Sequence, residues 1–250
     1  SFETVKVVQP AIHYDVDEIH LFHMGMRGVY KEFYDEVCDQ LLKNKPSISI
    51  EEHNQNIMDF SELLRSLLNL VDSLKKCDVL INVSAGPSEF IAAGVIASHM
   101  SKGVTSFTVS SSEYTVKDPS IYYVDGKPVG MASAVLPPVE IPPFNIERYP
   151  DDVVAGLKRL HFRREHGLSV TAMAMIEDLK ENGIWNYTLN DSCEKTDIKQ
   201  KETMYYQRHF VTAWAENGWI DKSNRKVKYL ITPVGKSVLK IFCDISEGSF

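Results

Sequence analysis

The run Asp78-Val79-Leu80-Ile81-Asn82-Val83 constrains what this chain can fold into more than any other segment. A strand that reads as continuously apolar is the kind buried on both faces of a parallel sheet. It closes in small residues, Ser84-Ala85-Gly86-Pro87-Ser88, and the Ala- and Ile-rich stretch 89–100 then predicts a helix ending near Gly103. The same rhythm surrounds it. Residues 17–23 predict a strand closed by Gly25, and 29–43 an amphipathic helix through Val29, Phe33, Val37, Leu41 and Leu42. Residues 47–51 predict a strand, 59–76 a leucine-rich helix and 105–110 another strand. Strands alternating with helices at these lengths imply an α/β fold: a Rossmann-like, open parallel sheet with helices on both faces and right-handed crossovers.

Such a sheet normally begins with an apolar strand, whereas this chain opens on Ser1-Phe2-Glu3-Thr4 and a helical stretch over 5–14. Either a first strand precedes residue 1, which is the reading adopted here, or Val5-Lys6-Val7-Val8 is itself a strand. Residues 122–131 predict a hairpin around Asp125-Gly126. Five of the eleven prolines (Pro137, Pro138, Pro142, Pro143 and Pro150) fall within 136–150. That density predicts an extended linker between a domain over 1–135 and a second over 151–250.

The second domain reads as helices over 153–166, 172–182 and 201–216, the first N-capped by Asp151-Asp152, with a polar loop over 190–199. Two short strands, 219–221 and 227–231, flank the basic turn Lys222-Ser223-Asn224-Arg225-Lys226. A last helix opens at Thr232-Pro233-Val234-Gly235 and runs to Phe242.

Charge is divided along the chain. The net −7 resolves into −8 over residues 1–150 and +1 over 151–250, so a basic face remains open to the C-terminal half. No apolar run approaches the roughly 20 residues of a membrane span. The N-terminus has no basic-then-apolar signal pattern, so a cytoplasmic protein is expected. Cys38, Cys77, Cys193 and Cys243 are far apart and form no CxxC pair, so neither zinc ligation nor disulfides are expected, only buried free thiols.

The order of three helices, a basic two-stranded wing and a closing helix looks like the winged helix-turn-helix, whose final helix opens on L-T-x-x-G. Here the corresponding run is Tyr229-Leu230-Ile231-Thr232-Pro233-Val234-Gly235, with Ile231 at the leucine position. A helix entering the major groove needs donors along one face, and a wing needs cations for phosphates. Lys199, Lys201, Tyr205, Tyr206, Arg208 and His209 can supply the first, with Gln207 and Arg208 best suited to base edges. Arg225, Lys226 and Lys228 can supply the second. The alternative is a winged helix used only for protein contacts, with these cations as a solvated face.

In the N-terminal half, the loop 84–88 sits at the carboxyl edge of the expected sheet, where doubly wound folds bind ligands. Gly86 permits close backbone approach, the hydroxyls of Ser84 and Ser88 can donate, and a helix N-terminus attracts phosphate. The loop is neither GxGxxG nor GxxxxGK[ST], which disfavours a dinucleotide redox cofactor and excludes a P-loop ATPase. Spacing alone leaves a plain strand-to-helix turn as an equal reading. His13, His20 and His23 cluster with Asp15, Asp17 and Glu18, but His20 and His23 fall on opposite strand faces, so catalysis or metal binding there is not expected.

A strand, then N-x-[ST]-x-G-x-[ST], a helix, a proline linker and a winged helix together resemble the CRISPR-associated Rossmann-fold (CARF) transcriptional regulators of archaea. The resemblance implies a homodimer that senses a cyclic oligoadenylate on its two-fold axis and no resident cofactor. Carried over, the ligand-binding positions are Asn82, Ser84, Ala85, Gly86, Pro87 and Ser88, with Ser1, Phe2 and Glu3 as the remnant of a first loop. Met24, Gly25 and Arg27 would add a further loop, Arg27 against a phosphate. Ala85-Gly86-Pro87 departs from the commoner Gly-Gly pair of that family. The resemblance implies a DNA-binding regulator rather than an enzyme; the alternatives are a ring nuclease acting through the ligand's own 2′-hydroxyl, or a protein-binding scaffold.

Overall fold

The computed structural model describes the chain except residues 1–2, 26–28, 115–122, 125, 129, 145, 189–194, 224–228 and 244–250. It is a mixed α/β protein of two compact units, Ser1–Ile146 and Glu147–Phe250.

The first unit begins with helix α1 (Thr4–His13), so the alternative of a strand over Val5–Val8 is not what forms. Strand β1 (Glu18–His23), helix α2 (Val29–Asn44) and strand β2 (Ser49–Asn54) follow, and β1 and β2 pair in parallel with Ile19 opposite Ile50. Val8 of α1 and Val37 and Leu41 of α2 bury against Ile48, with Ile19, Leu21 and Ile50 packed alongside. Helix α3 (Phe60–Ser73) starts where the Asp59 side chain accepts the Glu62 N–H at 3.1 Å, and buries Leu63, Leu64, Leu67, Leu68 and Val71. Strand β3 (Val79–Asn82), helix α4 (Ser88–His99) and strand β4 (Val104–Thr108) form the second parallel unit, with β3 paired to β4. Helix α3 packs on α4, and α1 on α2.

The remaining strands are antiparallel. β5 (Ser111–Tyr114) pairs with β8 (Ala132–Val135), and β6 (Tyr123–Val124) with β7 (Lys127–Pro128) around Gly126. β9 (Val139–Glu140) pairs antiparallel with β4, so part of the stretch expected as a free linker lies in the sheet. Its prolines flank the paired residues, where no ladder N–H is needed.

The second unit starts with α5 (Asp151–Glu165), whose N-cap is Pro150 rather than an aspartate. Asp152 instead accepts from its own neighbour Val153 N–H and from His209. After α6 (Ala172–Glu181), capped by the Thr171 hydroxyl, comes α7 (Lys195–Tyr205). Residues 195–199, expected in a loop, are thus helical. A π-helical turn, Tyr206–Val211, leads directly into α8 (Thr212–Glu216). The strands β10 (Ile220–Asp221) and β11 (Leu230–Ile231) pair antiparallel, and α9 (Pro233–Phe242) closes the unit. Its core joins Leu157 and Leu160 of α5, Met175, Ile176 and Leu179 of α6, Phe210 and Trp214, and Val238 and Leu239 of α9.

Among the described residues no helix is long and apolar enough to cross a membrane. Of the cysteines, Cys243 is buried, Cys38 half-buried and Cys77 exposed, so burial of the thiols holds for one of these three; Cys193 lies outside the described residues.

Candidate functional site

Three elements of the first unit meet at the carboxyl ends of β1 and β3. The Asn82 amide closes β3 by donating to the Lys6 carbonyl of α1 at 2.8 Å, while its Oδ1 accepts the Ser84 N–H at 3.0 Å. The Ser84 hydroxyl accepts the Val109 N–H at 2.7 Å, tying the loop to the end of β4. Gly86 is exposed with φ +127°, and a Cβ there would lie 3.2 Å from the Phe90 ring. Only glycine adopts that backbone without strain. Pro87 is the N-cap of α4 and supplies no side-chain cap, and the exposed Ser88 hydroxyl donates to Glu89 Oε2 at 3.2 Å. The Phe22 ring of β1 stands 6.0 Å from that of Phe90 in the first turn of α4.

The residues expected to hold a ligand therefore divide by role. Asn82 and Ser84 direct their polar atoms at the backbone and build the loop. Ala85 and Pro87 are half-buried, and Gly86 and Ser88 form its accessible rim. Glu3 is occupied elsewhere: its carboxylate accepts the Ala132 N–H of β8 at 3.2 Å and pairs with Lys6 at 3.5 Å. Met24 is exposed, and the Gly25 N–H donates to the Asn54 side chain at 3.1 Å. Ser1, Phe2 and Arg27 lie outside the described residues.

Pairing of β1 with β2 brings His20 and His23 of the first strand beside His53 and Glu52 of the second. His20 Nδ1 and His53 Nε2 are 2.8 Å apart, Glu18 stands 2.7 Å from His20 Nε2, and Phe22 stacks on His53 at 4.5 Å. Burial, and then the neighbouring His20, hold His53 below the usual histidine range. On the other face His23 Nε2 lies 3.0 Å from Glu52, with Tyr34 at its ring edge. His53 and Glu52 were missed because they stand on a strand some thirty residues away. Asp15 and Asp17 pair with Lys45 instead, and His13 packs on Tyr14. Among the described residues no group of three or more His, Cys, Asp or Glu is placed to hold a metal.

In the second unit, the long helix from α7 through the π turn to α8 exposes Lys199, Gln200, Met204 and Arg208 on one side. Tyr206 is fully buried, which withdraws it from any surface role, and burial pushes its phenol far up. Tyr205 is half-buried in a stack between Tyr187 (4.5 Å) and His209 (4.9 Å), and His209 pairs with Asp152 at 2.7 Å. Gln207 donates to the Tyr229 hydroxyl at 3.2 Å. Lys201 is half-buried, and Arg225, Lys226 and Lys228, the cations expected in a wing, lie outside the described residues.

A bracket of backbone contacts joins this helix to the strand pair. The Thr232 N–H donates to the Trp219 carbonyl at 2.9 Å, and its hydroxyl donates to the Gly218 carbonyl at 2.6 Å and accepts the Gly235 N–H at 3.1 Å. Gly235 lies so close to the Trp219 carbonyl that a Cβ would collide with it. The T-x-x-G spacing thus has a steric cause.

Residues 1–114 match one family. Its model is described as "HFX_2341_N:-like, N-terminal", and the match covers less than half of the chain. No curated protein matches the chain.

Proposed function

We propose that this protein is a ligand-responsive, DNA-binding transcriptional regulator, with a Rossmann-like sensor in its first unit and a winged helix-turn-helix in its second. The observation that carries the proposal is the bracket of Gly218, Trp219, Thr232 and Gly235. It ties the antiparallel pair β10–β11 to the end of a long helix whose exposed side bears Lys199, Gln200 and Arg208, an arrangement that supports a winged-helix reading. The match of the first 114 residues to a family known from archaeal transcription-regulator-like proteins supports the regulatory reading. Lys199 and Arg208 then contact the groove and the wing cations Arg225, Lys226 and Lys228 the phosphates, while Tyr205 and Gln207 position the helix from within.

The sensor's ligand is a cyclic oligoadenylate held by a homodimer. The rim of Gly86 and Ser88 and the first turn of α4 face its phosphates. Ligand held between two copies biases the spacing of their winged helices and so the affinity for a two-part operator.

The test is calorimetric titration with cyclic tri-, tetra- and hexa-adenylate, repeated with Ser88→Ala, alongside anisotropy on duplex DNA with and without each ring. One ring bound per two chains, weakened by the substitution and altering DNA affinity, is the expected result. Absence of binding to every ring overturns the sensor assignment. Appearance of linear product would reassign the protein as a ring nuclease.

A further inference from the structure

Most polar side chains on the long helix of the second unit are already engaged. Glu202 accepts from Lys180 at 2.5 Å, and the Thr203 hydroxyl donates to the Lys199 carbonyl at 2.8 Å. Gln207 donates to the Tyr229 hydroxyl, and His209 pairs with Asp152 of α5. The side chains of Lys199, Gln200 and Arg208 differ: they are exposed and take no hydrogen bond or ion pair among the described residues. Between Gln200 and Arg208 stands Met204, with 47% of its surface open to solvent. A lone exposed methionine is ordinary on a protein surface. One centred between an unengaged amide and an unengaged guanidinium has company that a solvated face does not require.

The three residues follow one another at intervals of four, so each stands one turn and about 6 Å along from the last. In an α-helix, four residues overshoot a turn of about 3.6, and a line through 200, 204 and 208 would swing steadily around the axis. The π turn over Tyr206–Val211 takes more residues per revolution, so Arg208, inside it, stays closer to the line of Met204. That turn is pinned from outside the stripe. The Thr212 hydroxyl donates to the Gln207 carbonyl at 2.9 Å, and Tyr206 and Phe210 are buried in the core.

We infer that Gln200, Met204 and Arg208 are a base-reading stripe, in which Met204 packs on the 5-methyl group of a thymine in the major groove. The inference rests on the DNA-binding reading and specifies what the helix selects. Thymine's methyl is the apolar group that base pairs present in that groove, and a thioether chain between two polar readers is matched to it. Arg208 has the fork for guanine O6 and N7, and Gln200 the amide for adenine N6 and N7. Cations favour nucleic acid over a protein partner here: Lys199 and Arg208 flank Met204, and Glu202, the one carboxylate between Lys199 and His209, is neutralised by Lys180. With base pairs roughly 3.4 Å apart, readers about 6 Å apart place the thymine about two base pairs from the guanine.

The experiment uses the full chain and duplexes selected by it from a pool with a random core. The preferred duplex is titrated by anisotropy with each thymine replaced in turn by uracil, which removes only the methyl group. At one position uracil should weaken binding by about fourfold, the effect of one methyl-sized group, and the same change should leave Met204→Ala within about twofold. Arg208→Ala should lose about tenfold of the preference for a guanine close by. The exposed Met204→Ala should unfold at the wild-type midpoint. A preferred duplex without thymine, uracil without effect, or an equal penalty in wild type and Met204→Ala overturns the inference and leaves the DNA-binding reading standing. Absence of binding to the whole pool overturns both.

Discussion

Ser84 and Ser88 look interchangeable on paper, each a hydroxyl in a loop of small residues, but the structure gives them opposite duties. Ser84 accepts a backbone N–H from Val109, so removing its oxygen leaves a half-buried donor without its partner. Ser84→Ala is expected to cost about 1–2 kcal/mol in urea unfolding. Ser88→Ala, at an exposed position, should stay within about 0.5 kcal/mol. Equal costs for the two would refute the division. His53 offers a second residue-scale prediction. Its folded pKa is depressed, so between that value and the ordinary 6.5 the unfolded chain binds a proton that the folded chain does not. Stability therefore falls as pH drops below about 6.5, and the loss ends once folded His53 is itself protonated. Unfolding midpoints of wild type and His53→Phe between pH 5 and 7.5 should show this dependence in the first and a flatter profile in the second, the new ring keeping the stack on Phe22.

Among the elements, the bracket around α9 and the buried ion pair of α6 are the ones a single change would break. Gly235→Ala sets a methyl against the Trp219 carbonyl, a backbone atom with no rotamer to yield. A loss of about 1–3 kcal/mol is expected, together with weakened binding to DNA. Asp178 is buried and receives Arg159 at 2.6 and 2.8 Å and Arg163 at 2.9 Å. Burial works against its charge, but these two guanidiniums outweigh it and hold the carboxyl below its usual range. Asp178→Ala should cost about 2–3 kcal/mol, toward the lower end for a buried pair because both arginines keep some contact with water.

The helices and parallel strands of the first unit were legible in the sequence because one face of each is apolar at the right period: Leu63, Leu64, Leu67, Leu68 and Val71 leave little choice for α3. What escaped lacked such a signal. Ser111-Ser112-Glu113-Tyr114 has too few apolar residues to announce a strand, and β9 hides among prolines that flank rather than occupy its ladder. The π turn at Tyr206 has no sequence signature beyond the aromatic residues it turns inward. At the site, loop 84–88 could be located from its small residues. The structural duties of Asn82 and Ser84 could not, since their partners Lys6 and Val109 lie 76 and 25 residues away.

For the molecule as a whole, the division of charge bears on the proposed binding to DNA. The first 150 residues carry −8 and the last hundred +1, so affinity must come from local cations rather than from net attraction. If Arg225, Lys226 and Lys228 each neutralise one phosphate, log K falls with log salt at a slope of about −2.7, on the order of 0.9 per contact. Replacing Arg225 and Lys226 with alanine should bring the slope to about −0.9 without changing the unfolding midpoint. An unaltered slope in anisotropy titrations from 50 to 200 mM salt would remove the wing from the interface.

The grip of Glu3 and Gln9 on β8 has a bearing on how this chain behaves in a crowded solution. Their side chains accept the Ala132 and Val135 N–H groups, so two of the bonds a foreign strand would seek on that margin are already satisfied by the chain itself. Should the first turns of α1 open, through dilution with denaturant or through heating, the exposed margin becomes a template on which other molecules can polymerise. Loss of order at this one helix would then register as fibres or turbidity rather than as a shift in any melting curve.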